Sequence, residues 1–239
     1  MKRLELSMKK VKAIFVSHEH ADHIYGVPRL SKKYQLPVYI TESTHRESRL
    51  ALSEGLIIPF RPYEPVSIGN LVITAFPKFH DAADPHSFIV SGNAVKVGIF
   101  TDIGEPCKHV IRHFEQCHAA FLESNYDEEL LETGSYPTSL KKRIRDGRGH
   151  LSNKQALQLF MTHRPECMTH LFLSHLSWNN NSPRIVKELF TSVAGKTQII
   201  IASRNRETKL YQIRNIPGFR GKQAKGNDKV STFQLTLFQ

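Results

Sequence analysis

With 239 residues, 40% of them hydrophobic, the chain can bury a sizeable core, and no apolar run approaches the ~18 residues of a membrane span. Its start, Met1-Lys2-Arg3-Leu4-Glu5, has no apolar stretch behind the charge, so the expectation is a cytoplasmic protein without a signal peptide or membrane contact. The net charge of +11, from 33 Lys and Arg against 22 Asp and Glu, favours anionic partners, nucleic acid foremost.

In chain order, the apolar pattern predicts a strand at 11–17, a helix at 42–53, and strands at 71–75 and 95–101. Helices follow at 105–116, 137–146 and 152–163, then a strand at 170–174, a helix at 183–193 and a strand at 198–202. Ser152 with Gln155 forms a capping box, and Ser182-Pro183 is a second helix start. Strands alternating with helices give a layered α/β protein. Residues 1–213 read as one domain, and 214–239 as an appendage. Within it, 215–230 is a Gly-, Lys- and Arg-rich stretch that reads as a flexible linker, and the end turns apolar again. Cys107, Cys117 and Cys167 form no C-x-x-C pair and read as reduced thiols.

The strongest local signal is Ser17-His18-Glu19-His20-Ala21-Asp22-His23, directly after the first strand. Imidazoles and a carboxylate at this spacing supply ligands for Zn²⁺, Mn²⁺ or Fe²⁺. Side chains alternate along a strand end, so His18 and His20 share one side. Asp22 and His23 then fall on the turn into a helix, where they can address a second metal. His80, Asp102 and His175 each close a later predicted strand, and the carboxylate of Asp102 could bridge two ions.

These motifs resemble the metallo-β-lactamase superfamily. The segments H-D-A-A-D-P (80–85), L-E-S-N-Y-D (122–127), G-H-L-S-N (149–153) and S-H-L-S-W-N-N-N (174–181) resemble its YycJ/WalJ family in particular, over roughly residues 10–211. Those proteins are bacterial cytoplasmic hydrolases related to ribonuclease Z and the β-CASP nucleases. The resemblance implies a four-layer αββα sandwich and 5′-to-3′ exonuclease action on DNA. It assigns His18, His20 and His80 to one metal, Asp22, His23 and His175 to a second, and Asp102 to the bridge. His150 becomes the general acid for the leaving oxygen, and Glu123 orients His150 or a ligand. Asp22, His150 and Glu123 are thus the expected catalytic residues. Two such metals share a hydroxide that attacks the phosphodiester.

Ser152 and Asn153, at a helix N-terminus, are expected to bind phosphate. Lys142 and Arg148, in a basic run with Lys141, Arg143 and Arg145, are expected to hold the substrate backbone. The alternatives are another hydrolase on the same fold, such as a thioesterase or small phosphodiester hydrolase, and a catalytically impaired DNA-associated protein. Family members usually begin with a glycine- and asparagine-rich strand pair and a strand ending in D-A-G. Neither motif is present, so the first strands of the N-terminal sheet are expected to be missing. Finally, Gln234-Leu235-Thr236-Leu237-Phe238 resembles the Q-L-S/D-L-F peptide by which bacterial repair and replication proteins bind the sliding clamp. The alternation of 233–238 equally permits an extra strand.

Overall fold

A computed structural model describes residues 2–215. The chain begins with a parallel three-stranded sheet, β1 (Ile14–Phe15), β2 (Val38–Ile40) and β3 (Ile57–Pro59), in that order. Its crossovers are helical: α1 (Ala21–Ile24), α2 (Val27–Tyr34) and α3 (Glu42–Ser48). A second sheet contains β4 (Pro65–Ile68), β5 (Leu71–Pro77), β6 (His86–Gly92), β7 (Val95–Phe100), β8 (Ala119–Glu123), β9 (His170–Ser174) and β10 (Gln198–Ile201). The strand order is β10-β9-β8-β7-β6-β5-β4, parallel from β7 to β10 and antiparallel from β4 to β7. Its crossovers carry α4 (Lys108–Phe114), α5 (Glu128–Thr133), α6 (Thr138–Arg145), α7 (Asn153–His163) and α8 (Pro183–Thr191).

Alternation along the strands builds the layers. On β5 and β6, Ile73, Ala75, Phe88 and Val90 face the first sheet, where they meet Phe60, Phe15 and Tyr39. Phe15 stacks on Tyr39 at 4.5 Å and meets Phe88 edge-on at 5.8 Å, so aromatic packing joins the two sheets. The intervening residues Phe76 and Ile89 face the opposite side, a fully buried core with Phe100, Phe114, Leu122, Phe160 and Phe190 beneath α4, α7 and α8. Val16, Ile24, Val27, Val38 and Ile40 seat α1 and α2 on the first sheet. The result is the four-layer αββα sandwich.

The capping box on Ser152 and the Ser182 cap both form, the latter accepting from Ile185 N. Two helices are shorter than their apolar pattern predicts. The helix predicted over 42–53 stops at Ser48, because Arg49 takes the left-handed conformation. That predicted over 105–116 starts at Lys108, with Cys107 extended at its N-cap. The strands β2, β3, β4, β6 and β8 and the helices α2 and α5 are additions to the sequence reading. The edge residue Ile213 packs with Val95, Val97, Ala119, Phe172 and Ile200. Gln234, Leu235, Leu237 and Phe238, and nearly all of the 215–230 linker, lie outside the described residues. Among the described residues, no helix is long and apolar enough to cross a membrane.

Candidate metal centre

The site is assembled where strands end. β7, β8 and β9 are parallel neighbours, and β5, two antiparallel steps from β7, runs with them. Their C-terminal ends therefore share one edge, the usual place for a site in sheets of this kind. His80 follows β5, Asp102 follows β7, Glu123 ends β8 and His175 follows β9. The motif after β1 reaches the same edge from the other sheet. Ser17 O accepts from His86 N at 2.9 Å, and the Glu19 carboxylate accepts from Ala83 N at 2.7 Å. These bonds tie the S-H-E-H turn to the H-D-A-A-D-P loop.

Two of the strand-end residues have left-handed backbones, Asp102 at φ 56° and His175 at φ 57°. Non-glycine residues rarely accept this conformation, which costs on the order of 1 kcal/mol or more, and such strain gathers at functional sites. Here it turns both side chains out of their strands and toward each other. Gly149 contributes differently. A Cβ there would lie 2.1 Å from Ile144 O, so only glycine lets the segment before His150 close onto α6.

The donor atoms converge. His20 Nδ1 lies 3.2 Å from both His18 Nε2 and His80 Nε2. Asp102 Oδ1 lies 3.3 Å from His175 Nε2, 3.4 Å from His23 Nε2 and 3.8 Å from His80 Nε2. His18, His20 and His80 offer atoms within 4.8 Å of one another, as do Asp22, His23 and His175. Asp102, Glu123, His150 and His175 meet the same limit.

This donor set fits divalent metal. His18 and His80 are buried, and burial, with Lys78 nearby, pushes both rings toward the neutral form, His80 to about 4. A neutral imidazole is the ligating form. Partners on the far nitrogens aim the rings: His80 Nδ1 donates to Gly149 O at 3.0 Å, His175 Nδ1 to Glu123 Oε1 at 2.9 Å, and His18 Nδ1 meets Ser17 Oγ at 2.9 Å. Asp102 Oδ2 is buried and receives no hydrogen bond among the described residues. Burial opposes the Asp102 charge, but His175, Lys78 and His23 hold its carboxyl well below the usual carboxylate range. Three ring nitrogens brought together, those of His18 and His80 each 3.2 Å from His20 Nδ1, are costly unless a cation satisfies them.

Glu123 is fully buried and every bond around it is made by a site element. Its Oε1 accepts from His150 Nδ1 at 2.7 Å and from His175 Nδ1 at 2.9 Å. Its Oε2 accepts from Ile103 N at 2.7 Å and Leu151 N at 3.3 Å. Burial alone would raise its carboxyl, but the two histidines hold it down to about 2. Glu123 positions its neighbours and does not itself face an open part of the site.

Some expected site residues have other duties. Ser152 is buried; its hydroxyl caps α7 through Gln155 N and donates to Glu128 Oε1 at 3.1 Å. Asn153 is buried too, bonded to Ser124 and Asn181. Neither side chain is left to receive phosphate, because both were drawn into the network that closes the end of α7. Lys142 and Arg148 are exposed and, among the described residues, pair with no carboxylate. Arg143 and Arg145 are engaged by Asp81 and Glu132.

The sequence reading missed Lys78 and Asn125. Lys78 is buried, donates to Thr101 O at 2.7 Å and lies 3.9 Å from Asp102 Oδ2. A lysine just past an apolar strand, two residues before the candidate ligand His80, was its only signal. Asn125 Nδ2 donates to His175 O at 2.8 Å and steadies the loop after β9.

Residues 1–175 match the family described as beta-lactamase superfamily domain. The chain belongs to that family. Exodeoxyribonuclease YycJ of Bacillus anthracis is 32% identical over 191 residues, 78% of this chain and 72% of that protein. Exodeoxyribonuclease WalJ of Streptococcus pneumoniae is 30% identical over 182 residues, 74% of this chain and 66% of that protein. In structure, the metallo-beta-lactamase fold protein YhfI of Bacillus subtilis matches with a TM-score of 0.63 at 18% identity, covering 82% of this chain and 76% of that one. This metallo-β-lactamase fold chain is a metal-dependent hydrolase, and its two sheets close around the His18–His23 motif.

Proposed function

We propose that the chain is a nucleic-acid phosphodiesterase, a 5′-to-3′ exodeoxyribonuclease that works with two divalent ions, Zn²⁺, Mn²⁺ or Fe²⁺. The observation that carries this reading is the meeting of two ligand groups at one oxygen, with His80, His23 and His175 all around Asp102 Oδ1. His18, His20 and His80 would hold one ion, Asp22, His23 and His175 the other, and Asp102 would lie between them. Bound divalent ions supply Lewis acidity at a phosphoryl oxygen and lower the pKa of water. The names of the YycJ and WalJ relatives and the charge of +11 support a polynucleotide substrate.

The chain's own groups complete the chemistry. His150 stacks 5.2 Å from His175 and presents its Nε2 while Nδ1 is held by Glu123. Burial disfavours its proton, but Glu123 more than offsets this and raises the ring above its ordinary value. The protonated form of His150 is thereby favoured, and it can give its proton to the departing oxygen. Lys142 and Arg148 offer cations to the phosphates on either side. The C-terminal Gln234, Leu235, Leu237 and Phe238 are proposed to bind the bacterial sliding clamp, which would hold the hydrolase near DNA.

The test is hydrolysis by the metal-loaded full chain of end-labelled DNA, RNA and bis-p-nitrophenyl phosphate. Mononucleotides released from the 5′ end of DNA are expected. Turnover of the small diester alone would replace this reading with a small phosphodiester hydrolase.

A further inference from the structure

Two large aromatic side chains stand in water within three residues of the candidate ligands Asp22 and His175. Tyr25 is 91% exposed and Trp178 72%, the highest values among the large hydrophobic side chains described. Isolated surface aromatics are ordinary. These two share a location. Tyr25 caps α1 with helical backbone, φ −51° and ψ −39°, three residues after Asp22, and so lies on the same helix face. The Asp22 carboxylate on that face is itself 69% exposed. Trp178 comes three residues after His175, and the His23 and His175 rings lie 6.0 Å apart. Each aromatic is thus three residues from a member of the Asp22, His23 and His175 group.

The loop that presents Trp178 is tied down. Ser177 N donates to Asn125 O and Asp127 N to Asn180 O, each at 2.8 Å. Asn180 N donates to Ser177 Oγ at 3.3 Å, and Asn179 Nδ2 to the Tyr136 hydroxyl at 3.0 Å. A ring on fixed backbone loses little freedom when a ligand stacks on it. The nearby charge indicates what that ligand is. Arg143, Arg145 and Lys154 are neutralised by Asp81, Glu132 and Glu128, whereas Lys142 and Arg148 have no carboxylate among the described residues. Arg148 stands two residues before His150, and Gly149 between them accepts from His80. Aromatic faces beside uncommitted cations match a strand of phosphates with unstacked bases.

We propose that Tyr25 and Trp178 form a stacking platform for the unpaired bases of a single-stranded polynucleotide entering the metal centre. This rests on the nuclease reading above and specifies the form of its substrate. A duplex buries its base faces in its own stack, so its end must open before the platform can engage it. Stacking is tolerant of sequence because every base has a π face, so the site takes strands without base preference.

Trp178 is the chain's single tryptophan, so its fluorescence reports the contact directly. The metal-loaded full chain is titrated with a hydrolysis-resistant phosphorothioate oligothymidylate and with an abasic strand of equal length and charge. The base-bearing strand is expected to quench Trp178 and to bind about tenfold more tightly than the abasic one. By anisotropy, Trp178→Ala and Tyr25→Ala are each expected to weaken the base-bearing strand about tenfold, Trp178→Phe to restore most of the loss, and all to leave abasic binding unchanged. Unchanged melting temperatures check the fold. Equal binding of the two strands, or wild-type affinity in Trp178→Ala, overturns the platform while leaving the nuclease reading intact. Binding of neither strand overturns both.

Discussion

Asp102 and His175 stand at the ends of β7 and β9 with nearly the same left-handed backbone, and Asp102 Oδ1 reaches within 3.3 Å of His175 Nε2. The strands that carry them are separated by β8, whose terminal Glu123 receives His175 Nδ1 from the other side. One imidazole is thereby clamped between two buried carboxylates. The aspartate shares the nitrogen that can face a cation, and the glutamate fixes the other.

Asp102→Ala is expected to empty the centre or leave a single ion, because its Oδ1 is the atom common to both ligand groups. Elemental analysis after removal of free metal measures this. Two ions per chain in the variant would remove Asp102 from the bridge.

Glu123→Gln keeps the shape but not the charge that holds two rings by their Nδ1 atoms. Disturbing such an orienting partner costs about 10–100-fold in metal affinity or activity. Competition with a chromogenic chelator gives the affinity, and an unchanged value together with unchanged turnover would show that the rings need no carboxylate.

His150→Ala is expected to retain the metals and lower turnover by roughly 10²–10⁴-fold. The loss should shrink for a substrate whose leaving group needs no proton, such as p-nitrophenolate. If metal content drops in step with activity, His150 is a ligand.

Metal affinity should depend on pH through His175. Burial alone would pull this ring down, but Asp102 and Glu123 raise it to about 9. The metal-free chain therefore holds a proton there at neutral pH, and a cation must displace it. Affinity rises with pH, by up to about tenfold per unit, and levels off above about 9. In the metal-free chain the sign for stability is opposite. The folded value lies above the unfolded 6.5, so the stabilisation is complete below 6.5 and fades as pH rises through about 9. Calorimetry in buffers of different ionisation enthalpy should detect about one proton released per chain near pH 7; zero release would place the proton elsewhere.

A peptide of residues 225–239 is expected to bind the bacterial sliding clamp, with Leu237 and Phe238 filling an apolar pocket and Gln234 bonding beside it. Fluorescence polarisation measures this. Equal binding by a Gln234→Ala/Phe238→Ala peptide would exclude a specific contact.

The candidate ligands and their order were legible from the chain alone, because metal binding needs particular donor atoms and strand ends present them at short, fixed spacings. His18, His20, Asp22 and His23 declare themselves this way, as do the caps at Ser152 and Ser182, whose bonds reach only three residues along the chain. Tertiary structure decided what depends on partners far away in sequence. Ser152 and Asn153 looked free for phosphate until Glu128, Ser124 and Asn181 claimed their side chains. Beyond its place just past a strand, Lys78 carried no sequence signal of a role, and only the fold buried it beside Asp102. Arg143 and Arg145 looked equivalent to Lys142 and Arg148 until Asp81 and Glu132 neutralised them. Spacing along a strand or helix is set by backbone geometry, which is local. Whether a polar side chain stays available depends on what packs against it, and that is known only when the sheets have closed.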